Sequence, residues 1–369
     1  MAEDFRGPSM ARVASLVLKR SLGLRRGKSV FIETYPDSLE AAETLAAEAR
    51  ELGIRPVIVY SSIPRPLVSS TGAKSTDSTA ISPIELAAVA AGDGYVALPA
   101  SPDELAQRDQ LPTSYREALF ARAVEWNRTL AHHAIPSALL LTASATEAAA
   151  RHYGVSFAQW RREGFRGSLV DPRAIRRAAR RLSEALHHGR RVTIIHPNGT
   201  HLELGLAGRR PILDDGVVDA ADLESGRVWT VIPPGLLIVA VDERVAEGRI
   251  ISNRPSRHRR GIVNGLHWTF RNGKLDRFSV EEGRELFETP YRKAGRERNR
   301  PALLSIGLNP ELRDFPLAED QELGVLSIYV GNNDDLGGRT RGNFRESAIL
   351  RQADLLIDDR ALLKAGRAV

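Results

Sequence analysis

The sequence predicts a two-domain protein of mixed class, α/β plus α+β. An N-terminal α/β domain with a parallel sheet is expected over 1–189, and a strand-rich C-terminal domain over 190–369. Three observations carry this reading. A chain of 369 residues is too long for one small core. Its first half alternates helical and strand-like patterns. From His187 onward the pattern changes to short strands separated by turns.

The opening run LVLKRSLGLRRGKSVFIETYP reads as a helix, a turn at Gly27-Lys28 and an apolar strand, Ser29–Thr34. SLEAAETLAAEARELGIRPVIVYSS continues as a helix closed by Gly53 and a second strand, Pro56–Tyr60. That β-α-β spacing argues for parallel pairing. Ser61 to Ser82 is rich in Ser, Thr and Pro and reads as a loop. GDGYVALPAS and AIPSALLLTAS supply two more strands. PRAIRRAARRLSEALHH, from Pro172, reads as an amphipathic helix with Ile175, Ala178, Leu182 and Leu186 inward. The second half then reads as RVTIIHP, HLELGLAG, RVWTVIPP, LLIVAVD, GRIIS and LHWTFRNGKLDRFSV, with a hairpin turn at Arg271–Lys274.

Composition excludes several functions. No apolar run reaches the ~18 residues of a membrane span. The N-terminal stretch carries acids before its mild apolar segment, so no secretory signal is expected. The chain has no cysteine, which rules out disulfides, thiolate metal sites and a cysteine nucleophile. A cytoplasmic protein is expected. The formal charge of +6 comes mostly from arginine. The cluster Arg254 to Arg260 has no aromatic interleaving for stacking on bases, so no nucleic-acid partner is expected. GxGxxG after a strand, GxxxxGK[ST], HExxH and GxSxG are all absent. His132-His133 and His187-His188 are adjacent pairs that face apart on a helix. His196 and His201 flank a short turn, and His267 lies beside Trp268. No compact His/Asp/Glu constellation stands out.

Several segments in series nevertheless resemble one family. RVTIIHPNGTHLELGLAGRRPILDDG resembles the G-T-D-L segment of the aminopeptidase T family of metallo-aminopeptidases. ESGRVWTVIPPG resembles its G-E-V-F-T-x-P segment, and SIGLNPELR its G-E-x-x-x-G-x-N-P. LGVLSIYVGNN is similar to G-x-x-H-x-A-x-G, and GGRTRGNFRES to G-G-x-N-x-S-x-x-H-x-D. GVSFAQWRREGF fits a further segment, and the likeness spans nearly the whole chain. The resemblance implies a two-domain fold, a homodimer and two metal ions held by carboxylates and histidines. The same superfamily contains the mononuclear iron 2,5-dihydroxypyridine dioxygenases.

At the positions where the family holds metal, this sequence carries other residues. The first Glu position is Arg227, and the second falls at Leu303 or Ser305. The first His becomes Ser327, and the final His-x-Asp pair becomes Arg345 and Ser347. A family tyrosine falls near Asn333 or Asp334. An arginine cannot be deprotonated and offers no lone pair to a divalent ion. The expectation is therefore a degenerate site with no metal and no cofactor. It becomes a pocket for a small anionic, carboxylate-bearing ligand clamped by Arg227 and Arg345. Arg339, Arg341, Asn332, Asn333, Ser327 and Ser347 join the binding set, with Glu346 and His201 as the proton-transfer candidates. Two other classes stay open: a metal-dependent aminopeptidase or dioxygenase with displaced ligands, and a non-catalytic binding or partner subunit.

Overall fold

The computed structural model describes residues 9–61, 81–102, 104, 113–258 and 261–369. Most of the Ser/Thr/Pro-rich segment expected as a loop lies outside the described residues. The chain divides into two units: 1–169 with 216–233, and 170–215 with 234–369. The expected single cut near 190 thus differs on two counts. The helix Pro172–His188 belongs with the second unit, and 216–233 returns to the first.

The first unit is built on a parallel sheet of β1 (Ser29–Thr34), β2 (Arg55–Tyr60), β3 (Gly94–Ala97), β4 (Ser137–Leu140) and β8 (Trp229–Ile232), in the order β2-β1-β3-β4-β8. Its central strands are continuous apolar runs because helices cover parallel sheets on their faces. Val30, Ile32, Val96, Ala138 and Leu140 share one core with Ala42, Leu45, Ala46 and Ala49 of the helix Leu39–Glu51. RVWTVIPP, expected in the second domain, supplies β8 by pairing in parallel with β4.

The second unit is dominated by antiparallel pairing. Its strands are β5 (Arg191–His196), β6 (Thr200–Leu206), β7 (Ile212–Asp214), β9 (Leu236–Ile251), β10 (Ser256–His258), β11 (Gly261–Val263), β12 (His267–Arg271), β13 (Lys274–Ser279), β14 (Pro301–Gly307), β15 (Leu326–Gly331), β16 (Arg345–Leu350), β17 (Asp354–Ile357), β18 (Arg360–Lys364) and β19 (Arg367–Ala368). β10 and β11 form a separate pair. The main sheet runs β16-β15-β14-β9-β6-β5-β17-β18-β19, with β7 and the β12–β13 hairpin attached at β9. β9 is its spine, pairing along its 16 residues with β6, β7, β12 and β14. LLIVAVD and GRIIS, expected as two strands, are the two ends of this one.

The helix Pro172–His188 starts on Asp171, whose carboxylate accepts from the Arg173 N–H at 2.9 Å. Its buried stripe is Ile175, Ala179, Leu182 and Leu186. Ala179 takes the place expected for Ala178, because steps of four, three and four follow the 3.6-residue turn more closely. The stripe joins a core that includes Trp268, Phe270 and Phe287. Trp268 is fully buried, with Phe287 and Phe270 at ring-centre distances of 6.0 and 6.2 Å. Trp268→Ala is expected to lower unfolding free energy by about 3–5 kcal/mol, read as a shifted urea midpoint.

Arg254 and Arg257, from the basic cluster, have largely buried side chains. Arg257 meets Asp314 at 2.8 Å and Glu319 at 3.1 Å, and Arg254 pairs with the same Asp314. Burial pushes the Glu319 carboxyl up to about 7, against the opposing pull of Arg257. Arg259 and Arg260 lie outside the described residues. No helix among the described residues is long and apolar enough to cross a membrane.

Candidate functional site

Three consecutive strands of the second unit, β14, β15 and β16, together with the loop between the last two, carry most of the positions singled out in the sequence. Their register sets Leu303 beside Tyr329 and Tyr329 beside Ser347. The next row is Ser305, Ser327 and Ile349, and Gly331 lies opposite Arg345. Side chains alternate along a strand, so Leu303, Ser305, Ser327, Tyr329, Arg345 and Ser347 share one face. Leu304, Ile306, Ile328, Val330, Ala348 and Leu350 take the opposite face and lie in the unit's core. The positions that the resemblance assigns as ligands in this unit, Leu303 or Ser305, Ser327, Arg345 and Ser347, therefore share one face.

Ser305 and Ser327 are fully buried there. The Ser327 hydroxyl has no hydrogen-bond partner among the described residues. Ser305 meets no partner in ordinary hydrogen-bond geometry either, although its hydroxyl works to lower the pKa of the Tyr329 phenol. Tyr329 donates its hydroxyl proton to Asp320 Oδ2 at 2.6 Å. Burial, then the Asp320 charge, pushes the phenol well above its ordinary value, while Arg345 pulls the other way. Burial also raises the Asp320 carboxyl, although the bond from Tyr329 opposes the rise. A carboxyl raised in this way is a stronger base than an exposed one, and the phenol is its fixed donor. Such a pair can receive and return one proton.

Arg345 donates from Nε to the Asn332 carbonyl at 2.9 Å and pairs with Asp335 through a terminal nitrogen. Its side chain keeps 25% of its surface exposed. Glu346, expected as a proton carrier beside it, points to the other face with Ala348 and Leu350. Its Oε1 accepts from the Ser347 N–H at 3.0 Å. One residue of offset inverts the side of a strand. His201 is on β6, exposed, and lines a separate cavity of about 560 Å3 with Glu203, Glu247 and Arg249. His196, at the end of β5, is held by Asn198, whose N–H it accepts at Nδ1 at 3.1 Å, and by the Asn253 amide, 3.2 Å from Nε2. Arg227 belongs to the first unit, where it pairs with Asp222 at 2.7 Å. Each arginine of the expected clamp has an acid of its own unit beside it, Asp222 for Arg227 and Asp335 for Arg345.

The loop between β15 and β16 is tied down by Asn333 and Glu243. Asn333 is fully buried. It accepts from the Thr340 N–H at 2.9 Å and donates to Ala302 O at 3.0 Å and Glu243 Oε1 at 3.1 Å. Glu243, on β9, also receives the Arg339 N–H at 2.8 Å and the Arg209 guanidinium at 2.8 and 2.9 Å. Burial works to raise the Glu243 carboxyl, but these bonds outweigh it and bring it down to about 2. Beside this anchor a cavity of about 660 Å3 is lined by Arg209, Arg244, Arg339, Asp242 and Glu243. Both acids are already engaged by arginines, whereas the Arg339 guanidinium has no ion pair among the described residues. Arg341 is 88% exposed and 3.8 Å from Asp334, so it stands in solvent.

The sequence reading missed Tyr329, Asp320, Glu243 and Arg209. Tyr329 was within reach, because two residues from Ser327 on a strand means the same face. Glu243 interrupts an apolar strand with a charge, which is itself a signal. Nothing local to Asp320 or Arg209 indicates its partner.

The residues on this face do not fit a divalent ion. Where the resemblance puts the family's ligands, this face carries Leu303 or Ser305, Ser327, Arg345 and Ser347, and none of these is a carboxylate or imidazole. Among the described residues no three His, Asp or Glu side chains are grouped to hold a metal.

Comparison with known proteins places this geometry. The chain matches the family model described as thermophilic metalloprotease (M29) over residues 7–291. No curated protein sequence matches it significantly. Wild-type AmpT from Thermus thermophilus is similar in structure, with a TM-score of 0.74, 16% identity and 98% of each chain covered. The 2,5-dihydroxypyridine dioxygenase from Pseudomonas putida KT2440 gives a TM-score of 0.64 at 15% identity, over 98% of this chain and 96% of that one. At these identities the likeness shows the fold alone. The family match stops at Tyr291, before β14, while the structural match runs on through β14, β15 and β16. A match over most of its length makes this chain a member of the thermophilic metalloprotease (M29), or aminopeptidase T, family.

Proposed function

We propose that the chain is a metal-independent enzyme of this family that acts on a small, carboxylate-bearing anion. One observation carries the reading: the Tyr329–Asp320 hydrogen bond lies on the face where Ser327, Ser347 and Arg345 stand at the metal-ligand positions. Arginines there preserve positive potential while removing Lewis acidity and metal-bound hydroxide. The anion is held by Arg345, with Arg339 on the adjoining loop as a second cation. Tyr329 and Asp320 handle the proton, and the buried Ser327 hydroxyl supplies a donor for the substrate.

Two measurements test this together. Protein purified without chelator and incubated with Zn2+, Mn2+, Co2+ and Fe2+ is expected to hold below about 0.1 ion per chain by plasma mass spectrometry. Arg345→Ala is expected to weaken binding of a carboxylate ligand about tenfold or more, equivalent to ~1.4 kcal/mol. One or two ions per chain with cleavage of aminoacyl substrates would establish displaced ligands instead. Unchanged binding in Arg345→Ala would remove the cation from the site.

A further inference from the structure

A second cationic cavity in the same unit shares no lining residue with the one beside Glu243. Its volume is about 510 Å3, and it is lined by Lys274, Gly295, Arg296, Arg298, Asn299 and Arg300. Four of these six are cations and none is an acid. Two of the cations are fixed by neutral partners. Arg298 donates to the carbonyls of Arg292 at 3.3 Å and Ala294 at 3.2 Å, and its guanidinium lies 5.2 Å from the Tyr291 ring centre. Arg300 donates to the Glu243 carbonyl at 3.4 Å. Carbonyls and an aromatic face orient a guanidinium without cancelling its charge. Lys274 and Arg296 make no ion pair among the described residues. The acid in the same turn, Glu297, is not among the lining residues: its Oε1 accepts from the N–H of Gly295, which is, at 3.1 Å, and its side chain packs on Gly342.

Four like charges around one concavity repel each other, and the protein supplies no lining carboxylate to offset them. A monocarboxylate would leave most of that charge in place. A chain of phosphates carries several negative charges and pairs of oxygens that match the guanidinium fork. The volume falls within the about 300–1,000 Å3 of small-ligand sites. We propose that this cavity binds the polyphosphate group of a small molecule. The proposal stands independently of the reading of the Tyr329 face.

Calorimetric titration of the full chain with inorganic tripolyphosphate and pyrophosphate tests it. One site per chain is expected, tighter for tripolyphosphate and weakening as salt rises from about 50 to 200 mM. The Lys274→Glu/Arg296→Glu double variant should lose at least about tenfold in affinity, and Arg296→Gln about threefold. Both side chains are exposed, so the melting temperature should stay near that of the wild type. The same reversal at Arg180, 84% exposed on the helix Pro172–His188, should leave binding unchanged. No binding of either phosphate, or equal losses in the cavity variant and Arg180→Glu, overturns the site. Binding only to phosphoinositide vesicles overturns the small-molecule source and leaves a lipid headgroup. Affinity that grows with single-stranded DNA length overturns the proposal in favour of nucleic acid.

Discussion

Glu243→Ala is expected to destabilise the protein by about 3–5 kcal/mol at neutral pH, because it removes one partner of a nearly buried ion pair. Among the described residues the Arg209 guanidinium would keep only the Val241 carbonyl, at 2.6 Å, and its side chain is 15% exposed. The Arg339 N–H and the Asn333 amide would lose the same acceptor. An independent route gives a similar size. The Glu243 carboxyl moves from 4.5 to about 2 in the folded state. A fall of that extent corresponds to about 3 kcal/mol of stability. The folded value is depressed, so the contribution is present above the unfolded value of 4.5 and is lost as pH falls from there to about 2. The gap between wild type and Glu243→Gln, read from urea midpoints, should therefore be largest near pH 7 and shrink below pH 4.5. A gap that stays constant down to pH 2.5 would show that the carboxylate charge is not what holds the β15–β16 loop. Amide exchange over that loop should accelerate in the variant, because its anchor on β9 is gone.

How much of this was legible in the sequence depended on how local the determining physics is. β1 and the hairpin β12–β13 were legible because their signals sit within a few residues. The hairpin turns on Asn272 and Gly273, at φ +51° and +70°, the left-handed pair that an Asn-Gly turn requires. The helix Pro172–His188 was legible from its stripe, with one residue misassigned because 3.6 does not fall on whole numbers. β8 was not assignable: RVWTVIPP looks the same whichever sheet accepts it, and only pairing with β4 decides. At the candidate site the period of two was the usable signal. It brings Ser327, Arg345 and Ser347 to one face and should have added Tyr329, and it should have removed Glu346. The Arg209–Glu243 pair spans 34 residues, and nothing local encodes it.

Gly331→Ala is the substitution expected to couple fold and site most directly. Gly331 ends β15 opposite Arg345, at φ +115°. A Cβ built there would lie 2.0 Å from the Phe344 carbonyl oxygen. That oxygen belongs to backbone and accepts the Asn332 N–H at 2.8 Å, so it cannot turn aside as a flexible side chain would. The left-handed backbone and the overlap together are expected to cost on the order of 3 kcal/mol. Gly337 provides the contrast: its φ is +85°, but an added Cβ meets nothing within 4 Å. Gly337→Ala should therefore cost only about 1 kcal/mol, the backbone contribution alone. Relief of the Gly331 overlap must displace Phe344, the residue that carries β16 into Arg345. Below its melting temperature Gly331→Ala should thus bind a carboxylate ligand severalfold more weakly, while Gly337→Ala binds as the wild type. If Gly331→Ala loses stability but keeps full affinity, the position of Arg345 is immaterial to the ligand, and the cation must be sought at Arg339. If affinity falls with stability, the tight crossing of Gly331 under Phe344 is what aims Arg345 at the face shared by Ser327 and Tyr329.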